Sequence, residues 1–216
     1  MENKTPYAPL GRKRIVNAVR DALFDAEGNT PLDEDEIEGL IPSHIRTRAE
    51  LNAWEATNIG DAVAWAYGRA HVDILSVETL RELHRRMFGA TWRWAGAFRT
   101  SQKSISPYHW PSVPSMLREL VDDMRAQHET STASAPDEIA MRFHHRLVHI
   151  HPWPNGNGRH ARLASDLLLR EWNRPALTWG NANGAGSADS IRRNYLSALE
   201  AADGGEFEAL RAFIRS

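Results

Sequence analysis

The chain has no cysteine. That removes disulfides and thiolate metal sites, and it leaves the redox compartment open. Any stretch of about 18 consecutive apolar residues, the length a membrane-crossing helix needs, is also lacking. The first residues, MENKTPYAPLGRKR, carry no signal-peptide hydrophobic region. A soluble, cytoplasmic protein without a membrane partner is expected. An excess of one charge is missing too: 26 Lys and Arg face 28 Asp and Glu, for a formal net charge of −2. That balance gives no reason to expect direct contact with nucleic acid. There is no internal repeat, no low-complexity tract and no sustained period-2 alternation, which argues against a fold built on sheets.

What is present is enough chain, 216 residues, for one domain with a real core. Eight tryptophans are a high count, and most are expected in the core or its rim. Helical spacing recurs along the chain. Arg12 to Phe24 reads as a short helix, Gly28 to Pro31 as a turn, and Asp33 to Glu36 as an acidic helix start. Thr47 to Tyr67 is the first long helix. Thr47 and Glu50 match a capping box, and Leu51, Trp54, Ile59, Val63 and Ala66 form its apolar stripe. Ser76 to Met87 follows, with Ser76 as N-cap. The rhythm then breaks from Phe88 to Pro114, where prolines, glycines and aromatics crowd together and a β-hairpin or ordered loop is expected. Helices resume at Ser115 to Gln127, Pro136 to Ile150, Arg159 to Trp172, Ser187 to Ala202 and Glu206 to Ile214. The expected class is all-α with one small hairpin. The expected division is an N-terminal extension over residues 1–46 and a main domain over residues 47–216.

Between the Pro136 and Arg159 helices lies His151-Pro152-Trp153-Pro154-Asn155-Gly156-Asn157-Gly158-Arg159-His160-Ala161-Arg162. A glycine-rich turn that opens a helix leaves backbone N–H groups aimed at one spot, where the helix dipole also favours negative charge. Arg159 and Arg162, at i and i+3, stand on one face of the first turn. Three readings compete. In the first, Gly-Asn-Gly is only a turn and His151 a core or capping residue. In the second, the histidines hold a metal: His144, His145, His149, His151 and His160 fall within seventeen residues. His145 and His149 have the i, i+4 spacing of a zinc pair, but the glutamate of a His-Glu-x-x-His site is missing. In the third, the stretch does phosphate chemistry. The backbone N–H groups of Gly156 to Arg159 and two guanidinium forks position phosphates. His151, with an ordinary pKa of about 6.5, serves as base for an attacking hydroxyl.

Along its whole length the stretch resembles the motif of the Fic family, His-Pro-Phe-x-(Asp/Glu)-Gly-Asn-Gly-(Arg/Lys)-x-x-Arg. The resemblance covers about residues 50–200, and it includes a hairpin-like flap upstream of the motif. The lead-in Gly39-Leu40-Ile41-Pro42 with Glu50-Leu51-Asn52 and Glu55 is similar to a subgroup called mobile mystery protein B. The resemblance implies an all-α Fic fold and transfer of AMP from ATP to a hydroxyl of a target protein. The target is not named by the sequence, and the protein itself is a candidate. By the same resemblance His151 is the base, Gly156, Asn157 and Gly158 form the anion hole, and Arg159 and Arg162 hold the outer phosphates. The flap, roughly Arg99 to Tyr108 with Thr100, Ser101, Ser104 and Ile105, would align the target chain by strand addition. A binding module of feeble activity, or transfer of another phosphate-containing group, is the alternative.

Two positions depart from the motif. Trp153 replaces Phe, with little expected consequence. Asn155 replaces the acidic residue that would ligate Mg²⁺, and a neutral amide oxygen should hold that ion less well. Many family members also carry an inhibitory helix, (Ser/Thr)-x-x-x-Glu-(Gly/Asn), whose glutamate pairs with the second arginine of the motif. Glu55, on the 47–67 helix, is the candidate for that role, although Leu51 and Ala56 miss the pattern. Glu38-Gly39 matches only its end, and Glu50 is better explained as a cap.

Overall fold

The computed structural model describes residues 33–130, 136–181 and 187–216. The expected Arg12 to Phe24 helix, the Gly28 to Pro31 turn and most of the two linkers near residues 131–135 and 182–186 lie outside them. The described helices are α1 (Glu34–Ile37), α2 (Arg48–Tyr67), α3 (Val77–Phe88), α4 (Val113–Thr130), α5 (Pro136–Ile150), α6 (Asn157–Glu171), α7 (Ala188–Asp203) and α8 (Glu208–Phe213). A single 3₁₀ turn, Trp110–Ser112, leads into α4.

The caps form where the sequence places them. Thr47 Oγ1 accepts from the Glu50 N–H at 3.3 Å, and Glu50 Oε2 accepts from the Thr47 N–H at 2.9 Å. Ser76 Oγ accepts from Thr79 N–H at 3.4 Å, and Ser187 Oγ from Ser190 N–H at 3.2 Å. Each such cap is worth about 1 kcal/mol. The helices then pack by their apolar faces. Leu80, Leu83 and Met87 of α3, Leu117, Leu120 and Met124 of α4, Phe143, Leu147 and Ile150 of α5, and Ala164, Leu167 and Leu168 of α6 share one core. A second, smaller cluster joins Leu169 of α6 and Met141 of α5 to Tyr195 and Leu199 of α7 and Leu210 and Phe213 of α8. Burying one such aliphatic or aromatic side chain contributes about 1.5–3 kcal/mol, so α5 and α6, which face both clusters, are the most firmly held elements. The connection between them, residues 151–156, is thereby fixed at both ends.

Two expectations need correction. Among the described residues no strand forms; the one β contact is an isolated antiparallel bridge between Leu40 and Trp92. The flap segment is irregular instead of a hairpin. Its carbonyls are taken by a buried arginine: Arg99 donates to Ser101 O at 2.8 Å and to Tyr108 O at 2.7 Å. A strand partner would need those same acceptors, and Pro107 and Pro111 remove two N–H donors. The stripe of α2 is also shifted. Trp54 is exposed, and the inward face is Leu51, Glu55, Ala62 and Ala66.

Candidate active site

The turn at the start of α6 is shaped by its glycine. Gly156 has φ +82, the left-handed region, and a Cβ there would sit 2.6 Å from the Phe88 ring at the end of α3. Glycine alone satisfies both demands. Asn157 clamps the same turn from inside: its Oδ1 accepts from Trp153 N–H at 3.0 Å and its Nδ2 donates to Trp153 O at 2.9 Å. With the turn closed by these bonds, α6 begins at Asn157, two residues earlier than its periodicity suggests. No side chain caps it and no acidic residue occupies its first turn. Its leading N–H groups and dipole therefore remain available to an anion.

Trp153 is fully buried, and its indole N–H donates to His160 Nδ1 at 3.3 Å. His160 Nε2–H in turn donates to Leu80 O at 2.9 Å. The exchange of Phe for Trp thus brings a polar atom that His160 satisfies. His84 ties the motif to the loop after α3 in the same way. Its Nδ1 accepts from Gly96 N–H at 2.9 Å, so the proton is on Nε2, which donates to Asn155 O at 3.1 Å. Burial holds His84 well below the ordinary imidazole pKa, and pushes His160 down to about 4.

His151 is buried, with φ +54, an uncommon conformation for a non-glycine residue. Arg99 holds it there: Nε donates to His151 O at 2.8 Å, and the Arg99 N–H donates to Pro152 O at 2.9 Å. Burial first, and then the nearby charges of Arg99 and Lys103, lower the His151 pKa to about 3. The imidazole is neutral, hence able to accept a proton, but as a base it is weak in this state.

Arg159 and Arg162 meet different surroundings. The Arg159 guanidinium lies 4.9 Å over the Phe88 ring and its Nη1 donates to Glu55 Oε2 at 2.5 Å. Glu55 is buried, and its other oxygen accepts from Trp92 Nε1–H at 2.8 Å. Arg162 lies 5.1 Å over the Tyr195 ring. Among the described residues no carboxylate pairs with it, and desolvation lowers its pKa. The Tyr195 hydroxyl bonds to His144 Nε2 at 3.0 Å and would sit 3.2 Å from a Cβ on Gly158. The first turn of α6 therefore presents one arginine paired directly with a carboxylate and one that feels Asp166 only through space.

The Fic/DOC family model matches residues 74–169, which run from before α3 nearly to the end of α6. Residues 74–169 belong to the Fic/DOC family. The chain is 31% identical over 144 residues to the protein adenylyltransferase fic-1 of Caenorhabditis briggsae, covering 65% of this chain and 26% of that protein. The chain thus spans about a quarter of the length of the curated relatives it matches. Among solved structures, Fic-1 of Caenorhabditis elegans superposes with a TM-score of 0.64 at 24% identity, covering 94% of this chain and 59% of that one. A Fic domain of a putative cell filamentation protein from Bartonella quintana, with bound ADP, superposes with a TM-score of 0.57 at 17% identity, covering 91% and 94%. These likenesses show a Fic fold.

Within this Fic domain the remaining expected site residues are spread unevenly. Glu50 is a cap, accepting from Arg46 N–H at 2.8 Å as well as from Thr47, and those bonds lower its pKa. Glu38 ends α1, and its carbonyl accepts from Arg93 Nη1 at 2.9 Å. Glu55 is the carboxylate that reaches a motif arginine, and it reaches the first one instead of the second. In the flap, Thr100, Ser104 and Ile105 are exposed, while Ser101 Oγ donates to Glu36 Oε1 at 3.3 Å. The anchors are residues between them. Lys103 is buried against Glu36 at 2.6 Å, and Ser106 Oγ bonds to the carbonyls of His149 and Ile150. Asn155 Oδ1 accepts from Gly156 N–H at 2.7 Å. One neutral oxygen, already turned onto the backbone, does not fit a tightly held Mg²⁺.

Sequence reasoning missed Phe88, Trp92, His84 and Tyr195, which form the walls of the site. His84 left a local signal, a histidine on the apolar face of α3 with Leu80, Leu83 and Met87. Tyr195 left none, because its contact with Gly158 spans two helices and a loop.

Proposed function

We propose that this domain transfers AMP from ATP to a hydroxyl side chain of a protein, and that the conformation described here is its restrained state. The observation that carries the reading is the first turn of α6: an uncapped N-terminus behind a left-handed glycine, two arginines on its outer face and a neutral histidine just ahead. Phosphates of ATP lie on the N–H groups of Asn157 to Arg159, with Arg162 and, once released, Arg159 on the leaving phosphates. His151 Nε2 or Nδ1 accepts the proton of the attacking hydroxyl. The hydroxyl oxygen bonds to the α-phosphorus, the α–β bridging bond breaks, and pyrophosphate leaves. No step is assigned to a metal, since the donor set at Asn155 holds one weakly at best.

Two features support restraint. Glu55 occupies Arg159, so bound phosphate must compete with a carboxylate bonded at 2.5 Å. His151 is a weak base while Arg99 and Lys103 sit beside it under full burial. Relatives named protein adenylyltransferase agree with the transferred group. Incubation with ATP labelled at the α or at the γ position tests the reading. Label from α on protein, lost in His151→Ala, is the expected result. Label from γ would mean phosphorylation. No label from either position, with Glu55→Gln included, would leave a nucleotide- or peptide-binding module.

A further inference from the structure

The corner where the last turn of α5 meets the end of α7 holds a second cluster of chemistry-bearing side chains. His145 and His149, one turn apart, stack with ring centroids 5.5 Å apart. His145 Nε2 lies 2.8 Å from Asp203 Oδ1, and His149 Nδ1 lies 2.9 Å from the same oxygen. One ligand atom from each of the three falls within 4.8 Å of the others. We propose that His145, His149 and Asp203 hold a divalent transition-metal ion of the zinc class.

The donor set argues for that class. Two imidazole nitrogens and one carboxylate oxygen suit zinc and its neighbours, whereas magnesium and calcium call for oxygen ligands. Around an ion with metal–ligand distances of about 2.0–2.1 Å, tetrahedral donors stand roughly 3.3 Å apart. The present nitrogen–oxygen spacings open to that value by a movement of about half an ångström. Asp203, whose side chain is 48% exposed, is free to make it. Its exposure also leaves a fourth position to water. The imidazoles themselves are held in place. His145 is nearly buried and meets the edge of Phe207 at 5.2 Å, behind which Arg142 stacks and pairs with Glu138. The edge of Tyr108 meets His149 at 5.6 Å. An ion here joins α5 to α7 and fixes the turn from which His151 departs, the same turn whose carbonyls receive Ser106 of the flap segment.

The test uses untagged, metal-free protein titrated with ZnCl₂ in a calorimeter and with CoCl₂ in a spectrophotometer. Expected are one Zn²⁺ per chain, a melting temperature that rises with Zn²⁺, and visible bands of four-coordinate Co²⁺ that Zn²⁺ bleaches. His149→Gln and Asp203→Asn, both at partly exposed positions, should each weaken Zn²⁺ by at least the roughly 10-fold that loss of even a supporting partner costs. Without metal their melting should stay near the parent's. Binding unchanged in both variants overturns the site, and so does a parent whose Co²⁺ spectrum matches buffer. Should a variant fail to fold, the parent's Co²⁺ spectrum still decides.

Discussion

The first turn of α6 has two walls, and they treat its two arginines in opposite ways. On the wall made by α2 and α3, Arg159 lies on Phe88 and is neutralised by Glu55, itself held by Trp92. On the wall made by α7, Arg162 lies on Tyr195, and among the described residues no carboxylate forms a direct ion pair with it, Asp166 acting on it only through space. Both guanidinium groups have an aromatic floor, so stacking does not separate them. The buried carboxylate does. The lesson is that a motif fixes which groups are present, while a helix outside the motif decides which of them are available.

Acid should break both walls together, and this is the largest expected effect. His160 on one side and His144 on the other titrate at about 4 and about 3 in the folded protein, both lowered chiefly by burial. In the unfolded chain both titrate near 6.5, so between those values the unfolded state binds more protons. Stability is therefore full above about pH 6.5 and falls as pH drops toward the folded values. At pH 5 each buried imidazole costs roughly 2 kcal/mol. Urea midpoints measured from pH 7.5 to pH 5 should fall steadily; a flat profile would show that these rings are not buried neutral.

Removing one arginine at a time sharpens the contrast. Arg162→Ala deletes the unpaired cation and should weaken ATP binding by about 10–100-fold, the worth of a charged hydrogen bond. Arg159→Ala removes a group already engaged, so its effect on ATP affinity should be several-fold smaller. It should instead lower stability by roughly 1–3 kcal/mol, because Glu55 is left buried without its cation. Equal losses of affinity in the two variants would erase the distinction between the walls. Asn155→Asp is the smallest expected change. One carboxylate oxygen can keep the bond from Gly156 N–H and the added charge favours the ion, so Mg²⁺-dependent AMP transfer should rise a few-fold with little change in melting temperature. Identical rates at saturating ATP and Mg²⁺ would show that position 155 does not govern the metal.

Much of this is legible in the sequence. The 3.6-residue spacing marks the helices, and Thr47, Ser76 and Ser187 mark where three of them start. The motif stretch shows its glycines, arginines and histidine in order. Even the burial of Glu55 is written in α2, where Leu51, Glu55, Ala62 and Ala66 fall on one face; an apolar stripe drawn through Trp54 obscures it. What could not be read is set by distance along the chain. Trp92 meets Glu55 across 37 residues and Glu55 meets Arg159 across 104, and no local pattern encodes either bond. The missing hairpin has a different cause. Extended residues at 99–108 look ready to pair, but the buried Arg99 takes the carbonyls that a second strand would use.

In the restrained state Glu55 holds Arg159 away from nucleotide. Glu55→Gln is the sharpest probe, since the amide oxygen can still accept from Trp92 while the charge on Arg159 is released. Titration of ATP into parent and variant by calorimetry should show affinity at least about 10-fold higher in the variant, the counterpart of one freed charged hydrogen bond. Equal affinities in two folded proteins would contradict it.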